Sequence, residues 1–305
     1  MDSHNTLFNA SFEESKNIQA EYGKYIKNSY KQMGLLDTLF TALLAIVFFG
    51  TITYGLGVGM LEGFLTAKQN EINILNYHNV KLAAKFAYPF IVISKCVVYL
   101  WVGVWSIIII RRLMPNWTVV SFVTLGGLAG AVMPLLLFCS LGPILYGFAL
   151  VGVGRLGIYF QVILLIFWGI NQFNIELNRI YQSLYYNKKS SDKNIKKNVV
   201  INKLILIIII FVFIIVNMCT FRVGFISNSF ELFSLLYSWL FLLLGLFTIF
   251  IIKILVIRNG ISSYYFWKYK ENYKKNWNLT DEQWYGKRKA KKLAKKKLKL
   301  EKRGK

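Results

Sequence analysis

The sequence predicts an all-α, polytopic membrane protein with six transmembrane helices and both termini in the cytoplasm. Three observations carry that class. Of 305 residues, 55% are hydrophobic and only 17% charged, a balance unlike that of a soluble globule. Several runs of about twenty residues are almost free of charge, long enough to cross the hydrocarbon of a bilayer. Basic residues gather in alternate connectors, which sets the orientation. Residues 1–34 read as an amphipathic N-terminal segment and 35–257 as the transmembrane domain. The latter includes a cytoplasmic helical connector at about 171–203. Residues 258–305 read as an aromatic and basic tail.

The N-terminal segment opens with a capping box, Ser11-Phe12-Glu13-Glu14, with the serine at the cap and a glutamate three residues on. Ile18, Tyr22, Ile26, Tyr30 and Met33 follow at helical spacing. Such a helix either lies in the inner interface or packs on other cytoplasmic parts. No basic leader with a short apolar core and a small-residue cleavage site opens the chain, so no signal peptide is expected.

The expected spans are 36–60, 86–110, 118–138, 147–170, 204–224 and 232–257. The run from Val119 to Ile170 is too long for one helix, and its break is expected at "CSLGPILYG", where Gly142, Pro143 and Gly147 punctuate it. In the first span Gly55, Gly59 and Gly63 stand at i, i+4 and i+8, a close-packing face for a neighbouring helix. Gly126 and Gly130 repeat the spacing in the third. Span five offers no chemistry, and Lys253 in span six lies near enough to the inner interface to snorkel.

Arg111 and Arg112 end the second span. Arg179, Lys188, Lys189, Lys193, Lys196 and Lys197 populate the connector after the fourth, where Phe173, Leu177, Ile180, Tyr181 and Leu184 keep a helical period. These belong inside, with the tail. In "YYFWKYKENYKKNW", Tyr264, Tyr265, Phe266, Trp267 and Trp277 alternate with lysines, a composition favoured at headgroup level. Thr280-Asp281-Glu282-Gln283 is a second capping box. Beyond it Lys287, Arg288, Lys289, Lys291, Lys292, Lys295, Lys296 and Lys297 form a polyanion-binding tail with a thin apolar stripe at Leu293, Ala294 and Leu298. The net charge of the chain is +23. Anionic inner-leaflet lipid is the first expected partner of the tail, with a ribosome, RNA or an acidic protein as alternatives.

Intramembrane charge marks function by default. Lys95 is placed about nine residues inside the outer end of span two and Arg155 about eight inside that of span four, with Glu62 at the outer end of span one. Together they suggest an outward-facing polar cavity. Snorkelling, or an ion pair with Glu62, is the structural alternative. The three cysteines, Cys96, Cys139 and Cys219, lie in apolar segments and suggest no disulfide framework. The two histidines give no metal spacing. No phosphate loop, nucleophile elbow, metalloprotease motif or carboxylate pair occurs at a credible position, so no enzyme, cofactor or metal is expected.

The lysine-rich tail after the last span resembles that of YidC-type insertases. The resemblance covers the tail alone, since a lipoprotein-type start and a long charged hairpin between early spans are missing. It implies a ribosome-facing tail, with Arg155 or Lys95 as a membrane-groove residue. The main expectation is a permease-like or channel-like subunit of a membrane export or transport machine, in the plasma membrane of a bacterium and with protein partners. The alternative is a self-contained binding protein of immunity or sensor type.

Overall fold

The computed structural model describes residues 6–19, 26, 28, 34–72, 77–114, 117–186, 207, 211 and 229–303. Their regular structure is helical throughout. Helix α1 covers 12–19, α2 Leu35–Thr66, α3 Tyr77–Ala87 and α4 Pro89–Leu113. Helix α5 covers Val119–Tyr185 and α6 Ser229–Lys268. The short helices α7 (Lys270–Asn276) and α8 (Asp281–Tyr285) and the basic α9 (Lys287–Arg303) follow. Among the described residues four helices are long and apolar enough to cross a membrane: α2, α4, α5 and the Leu236–Lys268 part of α6. Apart from Ile207 and Phe211, the expected fifth span, 204–224, lies outside the described residues, as do the basic run Lys188–Lys197 and Tyr22, Tyr30 and Met33.

The expected break at "CSLGPILYG" is not where the chain turns. Helix α5 is 67 residues long and runs straight through Pro134 and Pro143, with non-helical geometry at Gly154 alone (φ 71, ψ 179). That region of φ/ψ is open essentially only to glycine. The neighbours show that the chain reverses there. Phe148 stacks on Tyr237 at 4.6 Å and Phe138 meets Phe241 at 6.3 Å, so the leg before Gly154 runs antiparallel to α6. After it, Leu165 touches Gly245, Gly169 faces Ile249 and Gln172 accepts from Lys253 at 3.3 Å. This leg is therefore parallel to α6, and α5 is a helical hairpin.

Helix α5 survives Pro143 because the orphaned acceptor finds a donor. Proline has no N–H to give the carbonyl four residues back, here Cys139. Ser94 Oγ, on α4, donates to that oxygen at 3.2 Å. A neighbouring helix that re-satisfies a freed carbonyl makes a proline tolerable in an apolar environment. Helix α2 is handled in the same way. It widens into π-type turns at Ala45–Gly50 and Gly55–Gly59, and Trp101 Nε1 donates to Ala45 O at 3.0 Å.

The helices define two ends. At one, here called the cap end, both terminal segments fold together on the ends of α5. Ile26, Val119, Val123, Phe266, Tyr273, Trp277 and Trp284 share one buried cluster, and Ala10, Ile180, Leu184, Ile261 and Tyr265 another. At the far end α3 packs its Val80, Ala83 and Ala87 against Val58, Leu61 and Phe148. Tyr186 stands at the cap end and Ser229 at the far end. Outward faces of the long helices carry Leu36, Phe40, Ile93, Ile163, Phe167 and Phe247 exposed, as lipid contact requires.

The small-residue packing falls elsewhere than the i, i+4 spacing suggests. Among the described residues, nothing approaches a built Cβ within 4 Å at Gly55, Gly63, Gly126 or Gly130, and Gly59 meets only Tyr54 O at 3.7 Å. Among the described residues the close approaches to the backbone of a neighbouring helix are at Gly57, where a Cβ would lie 2.1 Å from Cys139 O, and at Gly147, where it would lie 2.3 Å from Ala83 O. Spacing alone does not show which face of a helix meets a neighbour, and here the paired glycines face outward or into open space.

Candidate functional site

Both capping boxes form. Ser11 N donates to Glu14 Oε2 at 2.7 Å, and Gln283 N donates to Thr280 Oγ1 at 3.3 Å. The N-terminal segment packs on the other cap elements, with Ala10, Ser15, Gln19 and Ile26 buried. A row of tyrosines holds it by its backbone. Tyr265 OH donates to Leu7 O at 2.7 Å and accepts from Ala10 N at 3.2 Å. Tyr269 OH donates to Ala10 O at 2.6 Å, and Lys268 Nζ to Phe8 O at 2.6 Å.

Behind these bonds the aromatics of the "YYFWKYKENYKKNW" stretch form a core rather than a headgroup belt. Tyr265, Phe266 and Tyr273 are fully buried, as is Trp284 beyond it, while Tyr264 and Trp267 stay exposed. Phe266 lies 5.6 Å from Trp277 and 5.3 Å from Trp284. Tyr273 shares a hydrogen bond of 2.6 Å with Ser15 Oγ. Burial raises the Tyr273 phenol to about 12, against a lowering pull from Ser15. Tyr285 is also raised to about 12, by burial and then by its bond to Glu271.

Gly286 (φ 82) separates this core from α9. Along α9 Ala290 is buried and Leu293 half-buried, whereas Leu298 and Leu300 are exposed. Lys289 lies over the Tyr285 ring at 5.0 Å. Lys287, Arg288, Lys291, Lys292, Lys295 and Lys296 are all exposed. The tail is thus a helix that leads away from a fixed cap.

Of the three expected intramembrane polar residues, two meet. Lys95 Nζ donates to Glu62 Oε1 at 2.7 Å, with side chains 35% and 47% exposed. Arg155 follows the reversal at Gly154 directly and is exposed. The hairpin carries it to the tip of the far end, and among the described residues it joins neither partner. The more deeply buried charge is one that spacing concealed. Glu176, 3% exposed, accepts from Arg179 Nη1 at 3.0 Å and lies 3.9 Å from Lys253 Nζ. Its only trace in the sequence is the i, i+3 relation to Arg179 inside a helix-periodic run.

Between α2, α4 and the first leg of α5 lies a cavity of about 650 Å³. Phe49, Trp101, Trp105, Met133, Gly126 and Gly130 help to line it, with Asp37, Thr38, Thr41 and Trp117 also in its wall. It sits toward the cap end. A second groove of about 560 Å³, walled by Met60, Phe64, Leu141, Phe148, Leu240 and Phe247, lies toward the far end and is apolar throughout. Among the described residues no group of three His, Cys, Asp or Glu side chains gathers as metal ligands would. Comparison with protein-family models, with curated proteins and with solved structures gives no match for this chain.

Proposed function

We propose that the chain is a non-enzymatic membrane subunit of a transport or export assembly, anchored by its long helices and docked through its cap. The observation that carries this reading is the cap itself. Segments 255 residues apart in sequence are joined there by a direct hydrogen bond, Ala10 N to Tyr265 OH, over a buried aromatic core. Membrane crossing requires no such body. A partner-binding face benefits from one, because a surface held rigid loses less entropy on binding. The excess of basic residues at this end supports a cytoplasmic location, where the adjacent α9 meets anionic headgroups at high effective concentration.

Co-purification of the full chain after cross-linking in its own membrane tests the reading. Other chains at a fixed ratio are expected. A lone monomer or homodimer would overturn it. That outcome would favour a second reading, a self-contained protein that binds an apolar ligand, which the 650 Å³ cavity supports.

A further inference from the structure

We infer that the cavity between α2, α4 and the first leg of α5 is a binding site for an anionic phospholipid. One acyl chain occupies the cavity and the phosphate sits on Arg111 and Arg112. The inference rests on the assignment of the cap end to the anionic leaflet and is independent of the docking role.

Shape comes first. At about 650 Å³ the cavity is within the range of small-molecule sites, roughly 300–1,000 Å³. Its wall is mostly apolar, with Asp37, Thr38 and Thr41 the polar exceptions on α2, so a ligand with a long hydrocarbon part matches it best. Gly126 and Gly130 leave open space where side chains would stand. The cavity opens on the lipid side, where Thr41 and Leu44 are exposed. A hydrocarbon chain can therefore enter from the bilayer.

Charge then selects among lipids. Arg112 lies over the ring of Trp117, 5.3 Å from its centroid, and Trp117 is part of the wall. Arg111 Nε donates to Ser121 Oγ at 3.4 Å, and its Nη1 to Met114 Sδ at 3.8 Å. Ser121 precedes Phe122, another wall residue. Two guanidiniums thus flank the cap-end mouth of an apolar slot, an arrangement that suits a lipid phosphate. Asp37, the acidic residue of the wall, directs its carboxylate to Gly34 N at 2.9 Å, which reduces its opposition to an anion. Thr38 and Thr41 stand beside it in the wall.

The test uses the full-length protein in neutral detergent, titrated with phosphatidylglycerol brominated on one acyl chain, with tryptophan fluorescence as readout. Bromine quenches indoles within contact, and Trp101 and Trp105 lie in the wall. Saturable quenching is expected, with phosphatidylcholine of the same brominated chain weaker by about tenfold or more. Replacing both arginines (Arg111→Gln, Arg112→Gln) should remove the preference between the two lipids. Filling the cavity (Gly126→Leu, Gly130→Leu) should remove saturation for both. Equal quenching by the two lipids in the native protein would overturn the anionic site. Saturation that persists in a filled variant with a native circular dichroism spectrum would overturn the cavity as its place. If the filled variant does not fold, the arginine variant decides.

Discussion

The two ends of the helix bundle hold charge in opposite ways. Toward the cap, Glu176 is buried, bonded to Arg179 and close to Lys253, which itself is only 13% exposed and donates to Gln172. Toward the far end, Glu62 and Lys95 make a shorter contact, 2.7 Å, but both side chains stay well exposed. Distance alone ranks the far pair first, and burial reverses the order. A charge taken out of water needs its partners, because removing one leaves the other uncompensated. An exposed pair exchanges its partner for solvent or headgroups at little cost.

The strongest way to break this comparison is Glu176→Leu. The substitution leaves Lys253, 13% exposed, without its carboxylate, and it should destabilise the protein by about 3–5 kcal/mol. Unfolding in mixed micelles measures the effect. A loss near zero would mean that Lys253 reaches the interface unaided, which the sequence alone suggests for it.

That disagreement shows what was legible in the sequence. The helical class, the two capping boxes and the continuation of the second leg of α5 to Tyr185 were open to local reading, because each depends on neighbours within one or two turns. The reversal point was not. Gly142, Pro143 and Gly147 carry stronger breaker signals than Gly154, yet Ser94 meets the carbonyl that Pro143 frees, and a contact across helices leaves no mark in local composition. The same holds for the aromatic stretch after α6. Its alternation with lysines fits a headgroup belt, and only the fold shows Phe266 and Tyr273 turned inward with Trp284. Lys95 and Glu62 were legible as a possible pair, whereas Arg155 was set deep by a break placed too early.

A second contrast separates the glycines that touch from those that do not. Gly147→Leu drives a side chain into the Ala83 backbone, which cannot rotate away, and should cost about 1–3 kcal/mol or more. Gly126→Leu, on the same leg but toward the cap end, enters open space and should leave stability nearly unchanged. Thermal unfolding of the two variants side by side decides the point. Equal losses would mean that helix propensity and lipid contact matter more than the α3 crossing.

The cap sharpens the comparison through pH. The Tyr273 phenol is raised by burial to about 12 in the folded protein, so the fold favours its neutral form. That contribution is fully present below the ordinary tyrosine value, near 10, and is lost as pH rises through about 12. Cap loosening is expected in this window, followed by phenolate absorbance together with the exposure of Trp277 and Trp284. Tyr273→Phe should cost about 1 kcal/mol at neutral pH through the lost bond to Ser15 and should remove part of the alkaline transition. An unchanged transition would assign it to Tyr285 instead, whose phenol is raised as far.

The smallest expected effect is at the far end, and it bears most on function. Lys95 lies less than two turns from the start of α4, and Arg155 stands at the hairpin tip, so water or headgroups can reach both. Replacing them together (Lys95→Leu, Arg155→Leu) removes no buried charge and leaves Glu62 half exposed. Folding should therefore be unaltered, with the unfolding midpoint of the native chain and the same partners on co-purification. Two outcomes would break the comparison in different places. A loss of stability approaching that of Glu176→Leu would show that the far pair is buried by a neighbour and is structural after all. Retained stability with loss of the partners or of transport would show that these cations act on something that passes or binds at the far end, the outward-facing polar site that their intramembrane charge suggests.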